Sequence, residues 1–267
     1  MLSVKIHFHK YQATGNDFVI IDNRKGQYIF SIDQIKKICD RRFGVGADGL
    51  ILIENHPTLD FDLVYFNSDG SQSLCGNGSR AAVVMAAGLG LLKTNTKFNA
   101  YDGAHQAELL DNDIVRLKMS DVGQVEESGS EYFINTGSPH HLRFVENVDA
   151  YPVVEEGRKI RYSETYAPKG ANANFIQRLD KNTIVVRTYE RGVEDETFSC
   201  GTGVTAAALA ASLQGYVSPV QVKVRGGELS VEFKAIHSGP SGSLPTAFRD
   251  IFLIGPAKMV FQGDLEL

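Results

Sequence analysis

Two cysteines in this chain stand in matching settings. Leu74-Cys75-Gly76-Asn77-Gly78-Ser79-Arg80-Ala81 and Ser199-Cys200-Gly201-Thr202-Gly203-Val204-Thr205-Ala206 each place a thiol just before a Gly-polar-Gly turn that opens into an alanine-rich apolar segment. Each segment is long enough for a helix, so each sulfur is expected at a helix N-terminus. There the unpaired backbone N–H groups and the helix dipole favour negative charge, which stabilises a thiolate and can also hold a carboxylate. The chemistry this suggests is inversion of a carbon next to a carboxylate. One base must remove a weakly acidic proton from one face while an acid supplies a proton to the other. A pair of thiols, one ionised and one not, meets that requirement without a cofactor. A free thiol has a pKa of about 8.5, and a helix terminus lowers it. Two aligned N-termini would also stabilise the negative charge that develops on the carboxylate.

Other polar residues invite simpler readings. Cys39 falls in an expected helix over residues 31–42 and is read as a small buried hydrophobe. Three cysteines with no C-x-x-C spacing suggest neither a disulfide framework nor a cysteine-rich zinc site. His7-x-His9 and His140-His141 lack a carboxylate or cysteine at compatible spacing, so no metal is expected.

The elements that must position these thiols repeat. An expected strand over residues 4–8, a polar turn over 11–17 and a β-branched strand over 18–21 lead to the helix at 31–42, with Ser31 as N-cap. The glycines of residues 43–49 precede the strand 50–53 instead of joining a strand to a helix, which excludes a dinucleotide fingerprint. Strand 61–66 and a turn at Asn67-Ser68-Asp69-Gly70-Ser71 deliver the chain to Cys75 and a helix expected over 79–92. Strands fill 97–119, and 120–131 reads as a linker. The order then recurs: Gly15 is answered by Gly137, Gly46 by Gly170, Phe66 by Tyr189 and Cys75 by Cys200, at offsets of 122 to 125 residues. Two similarly folded halves follow, residues 1–118 with 257–267 and residues 119–256, with a site expected in the cleft between them. Both helices after the cysteines are apolar or small on nearly every face, the mark of a buried helix. The fold class is therefore α/β (α+β), each pseudo-symmetric half a strongly curved sheet around one central helix. Residues 237–245 read as a solvated loop, followed by strands at 251–254 and 258–261.

Composition narrows the function. With 267 residues, 43% of them hydrophobic, real cores are available. A net charge of −5 and a pI near 5.8 argue against nucleic acid or an anionic membrane as main partner. The first nine residues alternate like a strand, and nowhere do about 18 apolar residues run together, so a cytoplasmic location is expected.

Gly15-Asn16-Asp17-Phe18, Phe66-Asn67-Ser68-Asp69-Gly70-Ser71, Cys75-Gly76-Asn77-Gly78, Tyr189-Glu190-Arg191-Gly192 and Cys200-Gly201-Thr202-Gly203 resemble the diaminopimelate epimerases, amino-acid epimerases that work without pyridoxal phosphate. The resemblance spans nearly the whole chain with its motifs in order. It implies interconversion of LL- and meso-2,6-diaminopimelate, in lysine and peptidoglycan synthesis, with no cofactor, and halves that are barrel-like, mostly antiparallel sheets around a helix. It makes Cys75 and Cys200 the acid–base pair, and Gly76, Asn77, Gly201 and Thr202 the backbone donors to the reacting carboxylate. Asn16, Asn67, Asn172, Glu190 and Arg191 would contact the amino groups and distal end of the substrate. Chemistry agrees, since Arg191 can grip a carboxylate with two N–H groups and Glu190 can pair with an ammonium. His140 is an auxiliary candidate, against the alternative of a histidine satisfied at a strand edge. Ser138 stands where the family usually carries Asn, and Gly49 where some members carry a side chain that reaches the site. The residues leave the oligomeric state open, with a homodimer as the assembly considered. The rivals are a proline or hydroxyproline racemase-like enzyme, a cysteine hydrolase or acyltransferase, in which the second thiol would have no role, and a non-catalytic ligand-binding protein on the same fold.

Overall fold

A computed structural model describes residues 5–237 and 245–266. The chain divides into two compact units, one within Met1–Leu117 and Gly255–Leu267, the other Lys118–Ile254.

The first unit runs β1 (Lys5–Ala13), β2 (Asn16–Asp22), α1 (Ile32–Cys39), β3 (Gly49–Glu54), β4 (Phe61–Asn67), α2 (Gly76–Gly88), β5 (Asn95–Ala100), β6 (Gly103–Leu109) and β7 (Ile114–Lys118). Neighbours β1–β2, β3–β4, β5–β6 and β6–β7 pair antiparallel, while β2–β3 and β4–β5 pair parallel. A parallel pair cannot be closed by a tight turn and needs a crossover. The two helices supply those crossovers, α1 between β2 and β3 and α2 between β4 and β5.

The second unit contains β8 (Glu126–Ser128), β9 (Glu131–Asn135), β10 (Pro139–Phe144), α3 (Val153–Arg161), β11 (Asn172–Arg178), β12 (Thr183–Glu190), β13 (Asp195–Thr197), α4 (Gly201–Leu213), β14 (Val220–Val224), β15 (Gly227–Ile236) and β16 (Ala247–Pro256). From β9 onward its pairings follow the same sequence of orientations. Antiparallel β9–β10 precedes parallel β10–β11, antiparallel β11–β12, parallel β12–β14, and antiparallel β14–β15 and β15–β16. Here α3 and α4 are the crossovers. The last strand, β17 (Lys258–Glu266), returns to the first unit and pairs antiparallel with β1.

In each unit the sheet curves about one helix. α2 packs on β1, β2, β3, β4 and β6, and α4 on β9, β10, β11, β12, β14 and β15. That many strands can surround one helix because its faces are built from small residues. Ala81, Ala82, Val83 and Ala86 of α2, and Val204 with Ala206 to Ala211 of α4, are fully buried. Polar residues would leave unsatisfied groups on every side of such a helix.

Several expected boundaries move. α2 begins at Gly76, not near residue 79, because Cys75 itself is the N-cap and Gly76-Asn77-Gly78 forms the first helical turn. It ends at Gly88, short of residue 92. The turn expected over 11–17 contracts to Thr14-Gly15, with φ of 49° and 86°, a two-residue hairpin loop of the kind that needs positive φ at both positions. α1 starts from Ser31 as expected, in a capping box with Gln34, but stops at Cys39. The linker expected over 120–131 carries β8, and its Val122 bridges to Phe248. The two strands expected late in the chain are longer, as β16 and β17. Val4 of the first expected strand and residues 238–244 of the expected loop lie outside the described residues. Among the described residues no helix is long and apolar enough to cross a membrane.

Candidate functional site

In the first unit Cys75 caps α2 with extended backbone, φ −128° and ψ 110°, and its sulfur accepts the Gly78 N–H at 3.3 Å. Ser79 N–H bonds Cys75 O. Backbone i→i−4 bonding of the helix thus begins at Ser79, and the first turn presents its N–H groups at the helix end beside the sulfur. Asn16, at the start of β2, lies against the cap: its Oδ1 accepts from Asn77 Nδ2 at 3.2 Å and from the Cys75 thiol at 3.6 Å. Its Nδ2 donates to Asp48 at 2.6 Å. Asp48 in turn accepts from Arg41, which grips Asp17 with both ends of its guanidinium at 2.7 and 3.0 Å. Asp17 also pairs with the buried Lys10 at 2.6 Å. These cations hold the Asp17 carboxyl well below the usual carboxylate range. Asn16, Asn77 and Cys75 thus form one cluster held from behind by charge. Asn67 is engaged differently, donating to Ser71 and Ser73, and so shapes the loop that leads to Cys75. Gly49 has no room for a side chain, since an added Cβ would lie 2.3 Å from the Tyr65 ring.

In the second unit Cys200 is buried and caps α4, with φ −117° and ψ 109°. Its sulfur lies 3.5 Å from the Thr202 hydroxyl. That hydroxyl is a hub, 2.9 Å from His140 Nε2 and 3.2 Å from Ser138 Oγ, while Thr136 holds the Thr202 carbonyl. The tautomer of His140 follows from Asn174. Asn174 Nδ2 donates to the carbonyl of His141 and its Oδ1 accepts from Thr188, which fixes the amide orientation. The same Nδ2 donates to His140 Nδ1 at 3.1 Å. Nδ1 is therefore the acceptor, and Nε2–H donates to Thr202. Complete burial pushes the His140 pKa down to about 3, with Arg191 contributing, so the ring is neutral.

Asn172, the register partner of His140 across β10–β11, donates to Pro139 O and accepts the Arg191 N–H at 2.8 Å. It ties β10 to the Glu190-Arg191 corner. Glu190 accepts from Thr197, and the Arg191 side chain reaches Lys169 O at 3.4 Å. The structure thus gathers Cys200, Thr202, Ser138 and His140 in one cluster and Asn172, Glu190 and Arg191 in the adjoining corner.

The remaining thiol is different in kind: burial drives Cys39 up to about 11, leaving it unreactive. Among the described residues no group of three or more His, Cys, Asp or Glu is arranged to hold a metal ion. A groove of roughly 650 Å³ in the second unit, along α3, β9 and β10, contains none of the anticipated site residues.

Sequence reasoning missed Asn174, Arg41, Asp48 and Arg80. The one available signal for Asn174 is its spacing, two residues after Asn172 on an otherwise apolar strand, which puts both amides on one face.

The sequence pattern of one family, diaminopimelate epimerase, matches residues 8–124 and 132–242. A diaminopimelate epimerase of Flavobacterium psychrophilum is 48% identical over 260 residues, covering 95% of this chain and 98% of that protein. One from Aquifex aeolicus is 41% identical, covering 98% of each. Among solved structures, a PhzF-family phenazine biosynthesis protein of Bacillus anthracis superposes with a TM-score of 0.73 at 15% identity, covering 98% of this chain and 99% of that one. A hydroxyproline epimerase of Agrobacterium vitis gives 0.70 at 14% identity, covering 100% and 93%. The last two show a shared two-part α/β fold.

Proposed function

This chain belongs to the diaminopimelate epimerase family of isomerases, and on that premise we propose that it interconverts LL- and meso-2,6-diaminopimelate by a two-thiol proton transfer. In cells this serves lysine and peptidoglycan synthesis. The observation that carries the reading is the matched pair of N-cap cysteines, each at the start of a buried helix whose first-turn N–H groups point away from the helix body.

In the proposed reaction one thiolate takes the α-proton and the other thiol delivers a proton to the opposite face. The first-turn N–H groups, of Gly76 and Asn77 in one unit and of Gly201 and Thr202 in the other, hold the reacting carboxylate as it gains charge. Asn16, Asn67 and Asn172 contact amino groups, and Glu190 and Arg191 bind the distal ammonium and carboxylate. Neutral His140 donates to Thr202 and so frees the Thr202 hydroxyl proton to point at Cys200, supporting that sulfur when it is an anion. The reaction needs a protonated thiol and a thiolate at once, and exchanging their roles reverses its direction. The enzyme acts in the cytoplasm, and a homodimer is the proposed assembly, supported by the exposed Met259, Val260 and Phe261 of β17.

The test is turnover of LL-diaminopimelate by the purified chain without added cofactor, in parallel with L-proline and trans-4-hydroxy-L-proline. Formation of the meso isomer alone is expected. Turnover of a proline without diaminopimelate would transfer the assignment to the racemase-like reading.

A further inference from the structure

Arg80 is the largest fully buried side chain of the molecule's described residues, with 0% of its surface exposed. It sits on α2 five residues after Cys75. Among the described residues its one hydrogen bond is Nη2 to Thr14 Oγ1 at 3.3 Å, and Nε and Nη1 have no partner. Among the described residues no carboxylate pairs with it. A cation buried in this way costs several kcal/mol unless an anion answers it, and the guanidinium cannot shed its charge at neutral pH. Burial draws its pKa down to about 10, still well above neutrality, and the charge that opposes the fall is that of the Cys75 sulfur.

We infer that Arg80 is the positioning residue that keeps Cys75 as the resting thiolate, the base of the pair, and leaves Cys200 as the resting acid. The inference rests on the two-thiol reading above. Whatever free energy the Cys75 anion contributes to Arg80, Arg80 returns to the Cys75 anion, because the coupling of two charges is reciprocal. The repeat supplies the comparison. Five residues after Cys200 the matched position on α4 is Thr205, also fully buried, whose hydroxyl donates to Gly201 O at 2.9 Å and carries no charge. The caps differ in the same sense. Cys75 accepts a first-turn N–H from Gly78, whereas Cys200 takes no such bond.

Two contacts oppose this assignment. The Thr202 hydroxyl, 3.5 Å from the Cys200 sulfur, supports the Cys200 anion, but as a neutral donor at long range. Asn16 Oδ1, 3.6 Å from the Cys75 sulfur, accepts from the thiol form. It is a neutral dipole at long range, shared with Asn77, and the formal charge of the buried Arg80 outweighs it. Behind Asn16, which touches Cys75, Asp48 and Asp17 face Arg41 and Lys10. Two carboxylates and two cations there balance, whereas among the described residues Arg80 Nε and Nη1 have no partner.

The test reads ionisation without substrate. Iodoacetamide labelling of the intact protein across pH 4–10, followed by peptide mass spectrometry, gives a midpoint for each thiol. In the wild-type protein the Cys75 midpoint is expected at least one pH unit below that of Cys200. Arg80→Met, an apolar replacement of similar length, should raise the Cys75 midpoint by a unit or more. At pH 6 that is about tenfold slower labelling. Cys200 should be unmoved, and Arg80→Lys should restore the wild-type order. Thermal unfolding confirms that each variant is folded, and if Arg80→Met does not fold, the wild-type comparison decides alone. A Cys200 midpoint at or below that of Cys75, or an unshifted Cys75 in folded Arg80→Met, overturns the inference. Failure of diaminopimelate turnover would remove the functional reading and leave these midpoints as they are.

Discussion

Gly203 offers a prediction whose size can be worked from the site. It is the third residue of α4, and a Cβ placed there would lie 2.4 Å from Asn174 Oδ1, 3.3 Å from the Cys200 sulfur and 3.3 Å from His140 Cε1. Asn174 cannot swing aside cheaply. It is fully buried and bonded to Thr188, to His141 O and to His140. Gly203→Ala must therefore break part of that network or push the first turn of α4 outward. Overpacking costs ~1–3 kcal/mol and a lost neutral hydrogen bond ~1 kcal/mol. The gain from alanine in a helix is at most ~1 kcal/mol. A net loss of about 1–3 kcal/mol is expected, with turnover down at least tenfold because the Thr202 hub moves with the turn. Gly78→Ala is the control at the matched position of α2. Its nearest neighbours are Ile51 Cδ1 at 3.3 Å and Cys75 Cβ and Phe18 Cε1 at 3.4 Å, and it should stay within ~1 kcal/mol of wild type. Urea unfolding and epimerase rates of both variants decide the matter. If Gly203→Ala unfolds with Gly78→Ala and keeps its rate, the packing of Asn174 against α4 is wrong.

Three further outcomes follow from the same geometry. Thr202→Val leaves the buried His140 Nε2–H without an acceptor and should cost ~1–3 kcal/mol in urea unfolding, together with most turnover, while Thr202→Ser restores both. His140, neutral in the folded protein with its pKa lowered to about 3, makes folding weaken in acid. Below about pH 6.5 the unfolded chain binds a proton that the native state does not, at ~1.4 kcal/mol per pH unit. Stability should thus drop by about 2 kcal/mol more between pH 7 and pH 5 in wild type than in His140→Gln, as read from urea curves. Asp17→Asn strands Lys10, whose side chain is 8% exposed, and should destabilise by ~3 kcal/mol. The low end of the range applies because Lys10 keeps its bond to Gly46 O.

What the sequence made legible was whatever repeats or alternates. The offsets linking Cys75 to Cys200 and Gly46 to Gly170 anticipated the shared order of strand orientations, and the all-apolar faces anticipated two buried helices. Less accessible was which residue a polar side chain answers across the sheet. Asp48 lies 32 residues from Asn16, and Asn174 lies 34 from His140. Only parallel pairing of β2–β3 and β10–β11 brings such residues side by side. Arg80 was hidden for another reason: an arginine in an alanine-rich run ordinarily reads as the solvated face of a helix, and every residue from Asn77 to Val83 of α2 is buried. The start of α2 was misplaced because glycine weakens a helix interior; at the first turn it costs less and lets the backbone N–H groups stand open.

The claim at the centre is that both thiols exchange a proton at one substrate carbon. Incubating LL-diaminopimelate with the protein in D₂O tests it most directly, comparing wild type with Cys75→Ala and Cys200→Ala. Wild type is expected to form meso product deuterated at the inverted α-carbon, and neither variant is expected to form any. Full isomer formation by Cys200→Ala, or product without deuterium, would contradict it.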